Sequence, residues 1–166
     1  MRFNYYAFIA MYAHEMDRFR RTLMQSLFSP VLSTSLYFIV FGSVIGGYVE
    51  KIDGISYGSY IVPGLLMLTL LTQSISNTSF SIFFPKFNGT IYEILAAPIS
   101  TFEIVLAFVG AGATKTLIVG VIIFITATFF VEVQVMYPLL MIFLLILVAF
   151  TFALFGFLIG LMSSNF

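Results

Sequence analysis

The sequence predicts an all-α protein that crosses a bilayer several times. Two observations carry this. First, 61% of the 166 residues are hydrophobic and 8% are charged, whereas a soluble domain carries roughly a quarter charged residues. So few charges cannot cover a water-soluble fold of this size. Second, the apolar residues fall in long runs separated by short polar breaks, and each run reaches the roughly 20 residues that a helix needs to span the hydrocarbon core. The expected architecture is an N-terminal amphipathic interfacial helix (residues 1–29) followed by a transmembrane domain (30–166). That domain has four spans, at about 30–49, 59–84, 101–131 and 137–162.

Composition also excludes several functions. The formal net charge is zero, so there is no global basic signal for nucleic acid. The chain has no cysteine and one histidine, His14, which removes disulfides, thiolate or imidazole metal clusters and cysteine nucleophiles, and leaves poor support for a serine triad. Arg18, Arg20 and Arg21 precede the first apolar run with no small-residue cleavage site behind it, unlike a secretory signal peptide. No Walker A pattern occurs, so the chain has no P-loop for ATP. These absences favour transport over catalysis.

In residues 2–28, Tyr5, Phe8, Ile9, Tyr12, Met16, Phe19, Leu23 and Leu27 fall within an arc of about 100°. His14, Asp17, Arg18, Arg21 and Gln25 lie opposite. Such a helix sinks its apolar face into the headgroup boundary and holds Arg18, Arg20 and Arg21 near anionic membrane lipid. Ser29-Pro30 reads as a helix start, a cap followed by proline at the first helical position. Glu50, Lys51, Asp53 and Gly54 mark the next turn.

The second span has Pro63-Gly64 near its start and a polar face of Thr69, Thr72, Gln73, Ser76 and Ser79. These side chains either line a polar route or hydrogen-bond between packed helices. Residues 85–100 form the longest break. Thr90-Ile-Tyr-Glu93 matches a capping box for a short helix, and that helix must stop before Pro98, because the residue preceding proline resists α geometry. Ser100-Thr-Phe-Glu103 is a second capping box that opens the third span. The break is thus a folded turn presenting Tyr92 and Glu93. Glu93 and Glu103 flank a proline, and nothing forces them into an acid/base pair.

In the third span Gly112, Thr116 and Gly120 make a small-residue stripe that permits close helix approach. Lys115 lies beside it, near mid-membrane, where a charge costs about 2.5–3.5 kcal/mol on insertion scales. It must find a partner, either as a route or coupling residue or as a lysine held by carbonyls or snorkelling. Tyr137-Pro138 opens the fourth span, which is apolar all round and carries Gly156-x-x-x-Gly160 near its end. Arg2, Arg18, Arg20, Arg21 and Lys86 fall on one side of this topology and Lys51 on the other. The N-terminus and the 85–100 turn are therefore expected in the cytoplasm.

Four segments carry a resemblance: Glu15-x-x-Arg18-x-x-Arg21-x-x-x-Gln25 leading to Pro30; Leu36-Tyr37-Phe38, then Phe41-Gly42 and Ile45-Gly46; Tyr60-Ile-Val-Pro63-Gly64-Leu65; and Glu93-Ile-Leu-Ala-Ala-Pro98-Ile-Ser100. In this order and spacing the chain resembles the ABC-2 type permeases, export subunits for drugs, oligosaccharides and polysaccharides in the bacterial inner membrane. The resemblance implies six helices per subunit, two subunits around a pore and two separate ATP-binding cassette ATPases beneath. ATP and Mg would be bound by those partners, with no cofactor in this chain. It also implies that residues 2–28 are the family's connecting helix and that the 90–97 helix rests on the ATPase through Tyr92, Glu93 and Pro98. The chain is expected to be truncated after the fourth helix, without the last two helices and the re-entrant segment between them. Two alternatives stay open: a fragment of an ion-coupled transporter titrating Lys115 and Glu132, which would lie about 25 Å apart on one helix, and a non-transporting assembly subunit.

Overall fold

The computed structural model describes residues 3–45, 54–133 and 135–163, and among these the chain is helical with no strand. Helix α1 spans Tyr5–Arg21, α2 Leu23–Tyr37, α3 Tyr57–Phe87, α4 Ile91–Ala96, α5 Thr101–Phe130 and α6 Pro138–Met162. A π-helical stretch, Phe38–Ile45, prolongs α2. Four helices are long and apolar enough to cross a membrane: Leu23–Phe41, α3, α5 and α6. The expected Glu50–Asp53 turn and the end of the first span lie outside the described residues.

The first two helices differ from the sequence reading. The break falls at Thr22, whose hydroxyl donates to the carbonyls of Arg18 and Phe19 and so competes with the helix ladder. Ser29 is therefore no cap: Pro30 lies buried inside α2, and the apolar run is long enough to carry the helix through it. The inner face of α1 also differs. Glu15 and Phe19 are its buried residues, while Tyr5 and Ile9 are exposed. The reason is that α1 packs on α5 rather than presenting its whole apolar arc to lipid.

Helix α5 is the centre, packed by α1, α2, α3 and α6. Six of its buried positions are alanine or glycine: Ala107, Ala111, Gly112, Ala113, Gly120 and Ala127. Gly112 receives Thr78 of α3, and Gly120 receives Leu70, so the small-residue stripe is the α3–α5 seam. The α6 glycines make the opposite seam. A methyl on Gly156 would lie 2.5 Å from the Ile75 carbonyl oxygen, and one on Gly160 would lie 2.8 Å from that of Ser79. Only glycine permits this backbone approach. Ser74 and Ser79 then donate across it to the carbonyls of Ala149 (2.6 Å) and Gly156 (2.7 Å).

Candidate functional site

The turn between α3 and α5 is built from both helix ends. α3 runs on through Pro85 to Phe87, beyond the expected end, and Gly89 takes the left-handed conformation (φ 77°) that reverses the chain. The first capping box does not form. Thr90 is itself helical, makes no cap and reaches back to the Pro85 carbonyl at 3.4 Å. Glu93 is thereby left exposed beside Tyr92 and Pro98. α4 ends at Ala96, and Ala97 is extended ahead of Pro98. The second capping box is complete: Ser100 Oγ accepts from Glu103 N, and Glu103 Oε2 accepts from Ser100 N at 2.8 Å. Glu103 Oε1 also accepts from the backbone amide of Asn4, so the start of α1 is fastened to the foot of the turn. Glu103 is buried and Glu93 exposed, which separates the two carboxylates.

A buried charge cluster lies behind the turn. Lys115 Nζ donates to Glu15 Oε2 at 2.7 Å, Arg18 lies 3.1 Å from the same oxygen, and Ser81 Oγ donates to it at 2.6 Å. Arg18 also donates to Ser81 at 3.0 Å. Three helices thus converge on one carboxylate oxygen. Lys115 stands midway along α5. A helical side chain leans toward its own N-terminus, and here it reaches Ser81, about 9 Å from the end of α3 at 1.5 Å per residue. Its partner is Glu15, not Glu132, whose carbonyl accepts from Ser59 at the opposite end of α3. Glu15 was missed as a partner, although its spacing from Tyr12 and Phe19 already placed it on the inner stripe of α1. Arg18 reaches into this cluster with its side chain half-buried, whereas Arg20 and Arg21 are exposed.

Among the described residues the polar face of α3 does not gather around one pocket. Thr69 and Thr72 donate to carbonyls of their own helix, Gln73 is half-buried and Ser76 exposed. None of these four lines the cavity of about 1170 Å³ at the far end of the bundle. That cavity is bounded by Tyr60, Val62, Leu66, Met67, Tyr137 and Leu144, among others. Lys86 closes the turn end by donating to the carbonyls of Gly160 and Leu161 in α6 and of Ser163, which caps it, at 3.3, 2.7 and 2.9 Å.

Comparison with known proteins matches the chain to a family. The model of the ABC-2 type transporter family matches residues 6–166. Inner membrane transport permease YadH of Escherichia coli K12 is 37% identical over 166 residues, and its counterparts in Escherichia coli O157:H7 and Shigella flexneri are equally similar. The chain is covered completely and spans 65% of the length of these relatives. No solved structure matches. The chain belongs to the ABC-2 type transporter family and is a multi-pass protein of the inner membrane.

Proposed function

We propose that this chain is the membrane-spanning part of an ATP-driven exporter: a permease, not an enzyme, that forms the substrate path as a dimer and takes its energy from a separate ATPase. One observation carries the reading. The short helix α4 is slung between two helices that each exceed a bilayer's thickness, and it exposes Tyr92 (74%) and Leu95 (63%). An exposed aromatic and leucine beside a carboxylate make a compact anchor for a partner's groove. Both flanking helices are long and continuous, so a push at α4 tilts them together. Nucleotide-dependent binding there shifts the permease only as far as the contact differs between states. Tyr92, Glu93 and Pro98 are the residues assigned to this contact, with ATP and Mg held by the partner. Thr69, Thr72, Gln73 and Ser76 remain candidates for path or packing, and Arg20 and Arg21 for anionic lipid.

The test is Glu93→Arg in the full permease, co-expressed with its ATPase and reconstituted. Membrane insertion should be normal, while transport per ATP hydrolysed should fall about tenfold, the loss expected from reversing one interfacial charge. Normal coupling in this variant would remove α4 from the contact.

The ion-coupled alternative loses its titrating pair. Lys115 is bonded to Glu15, and Glu132 lies at the other end of the bundle.

A further inference from the structure

Helix α1 is fastened to α5 at three levels. Asn4 is bonded to Glu103, Tyr12 Oη donates to Thr114 Oγ1 at 2.9 Å, and Glu15 takes Lys115. The contacts advance together along both helices, so α1 runs beside the first half of α5 in the same direction. The Tyr12 ring lies over Gly110, 3.9 Å from where a methyl would stand, an ordinary contact distance. By contrast α1 and α2 make little contact with each other, and they meet at the break at Thr22.

We propose that Glu15 and Lys115 are positioning residues that lock α1 onto α5, so that α1 travels with the 88–100 turn as one body while the bend at Thr22 takes up the movement against α2. The proposal rests on the exporter reading for the origin of the movement, but the lock itself does not. Its chemistry is one carboxylate shared by two cations. Both charges are buried, Glu15 at 2% exposure and Lys115 at 4%, so sliding α1 along α5 separates an ion pair in a low-dielectric interior. Among the described residues Glu15 is the one carboxylate within ion-pair distance of Lys115 or Arg18. Removing it leaves two cations facing each other around Ser81. Removing Lys115 is milder, because Arg18 still holds Glu15.

The test uses paired spin labels in the full permease in an otherwise cysteine-free background. One pair joins α1 to α5 (His14→Cys with Val121→Cys) and another joins α1 to α2 (His14→Cys with Ser33→Cys); all three positions are exposed. With its ATPase bound, the α1–α5 distance should be unchanged between nucleotide-free and ATP-trapped states, while the α1–α2 distance shifts. Glu15→Gln should broaden the α1–α5 distribution and lower transport per ATP about tenfold, since one partner of a buried pair is lost. Lys115→Met should do less. The double variant E15Q/K115M and the exchange E15K/K115E should both return toward wild type, which a purely steric role for either side chain does not predict.

A narrow α1–α5 distribution in E15Q, or movement of α1 against α5 in the wild type, overturns the lock. If E15Q does not insert, the exchange decides: behaviour like wild type supports the pair, and a broad distribution ends the proposal. If the wild-type permease binds no ATPase, the exporter reading fails, yet the distance distributions of the permease alone still judge the lock.

Discussion

Thr78 and Gly112 define how closely α3 and α5 approach. The Thr78 hydroxyl is fully buried and has no hydrogen-bond partner among the described residues; it sits where a methyl on Gly112 would stand. Gly112→Ala should therefore force a rotamer change and cost about 1–2 kcal/mol, in the range of overpacking. Thr78→Ala should be nearly neutral, because it deletes an unsatisfied hydroxyl along with its packing, and the double variant should recover most of the loss. Gly156→Ala meets the Ile75 backbone instead, at 2.5 Å from O and 2.9 Å from Cα, and backbone cannot rotate away. It should be the most damaging of the three. Unfolding midpoints in denaturing detergent would establish the order; equal losses for Gly112→Ala and Gly156→Ala would contradict this account of the two seams.

At the scale of elements, α3 is held to α6 at both its middle and its end. The middle is the glycine seam with Ser74 and Ser79 reaching across. The end is Lys86, a cation placed on the last carbonyls of α6, where the helix dipole is negative. Lys86→Met should cost about 1–2 kcal/mol and loosen the last turn of α6. Faster backbone exchange at residues 159–162, with the α3–α5 seam unaffected, is the expected signature.

Much of this element structure was legible. Length and hydropathy located the long helices α3, α5 and α6 because a helix in lipid must satisfy its own backbone, and Ser100 and Glu103 announced the start of α5. Less was legible wherever a distant helix decided the outcome. The stripe of α1 was read as lipid-facing since nothing local says that Lys115 stands opposite Glu15. The Thr90–Glu93 box failed because Thr90 was drawn into the turn toward Pro85. Ser29-Pro30 misled because a membrane helix can run through a proline that would end an isolated one. The polar face of α3 had the right residues for either role, and periodicity cannot separate a hydroxyl facing a path from one bonded to its own ladder.

For the whole molecule, the arrangement of charge along the bundle predicts which way it stands. The half of the bundle nearer the turn holds Lys86 and Arg18, which meets Lys115 on Glu15 midway along α5, with Arg20 and Arg21 following on α1. The far end carries Glu132 among exposed apolar residues. Short-loop Lys and Arg set orientation, so the turn end should face the cytoplasm and the 1170 Å³ cavity should face outward. The absence of cysteine from these 166 residues makes this measurable in a full permease otherwise free of cysteine. Single cysteines at Tyr92 and Glu132, both exposed, should react oppositely with a membrane-impermeant maleimide. Glu132→Cys should label in intact cells stripped of the outer membrane, and Tyr92→Cys only after the inner membrane is opened. The reverse pattern would put α4 outside, where no cytoplasmic ATPase can reach it, and would remove the exporter mechanism together with the orientation. The expected pattern leaves α4, with Glu93 at its centre, as the exposed helix on the side where ATP is available.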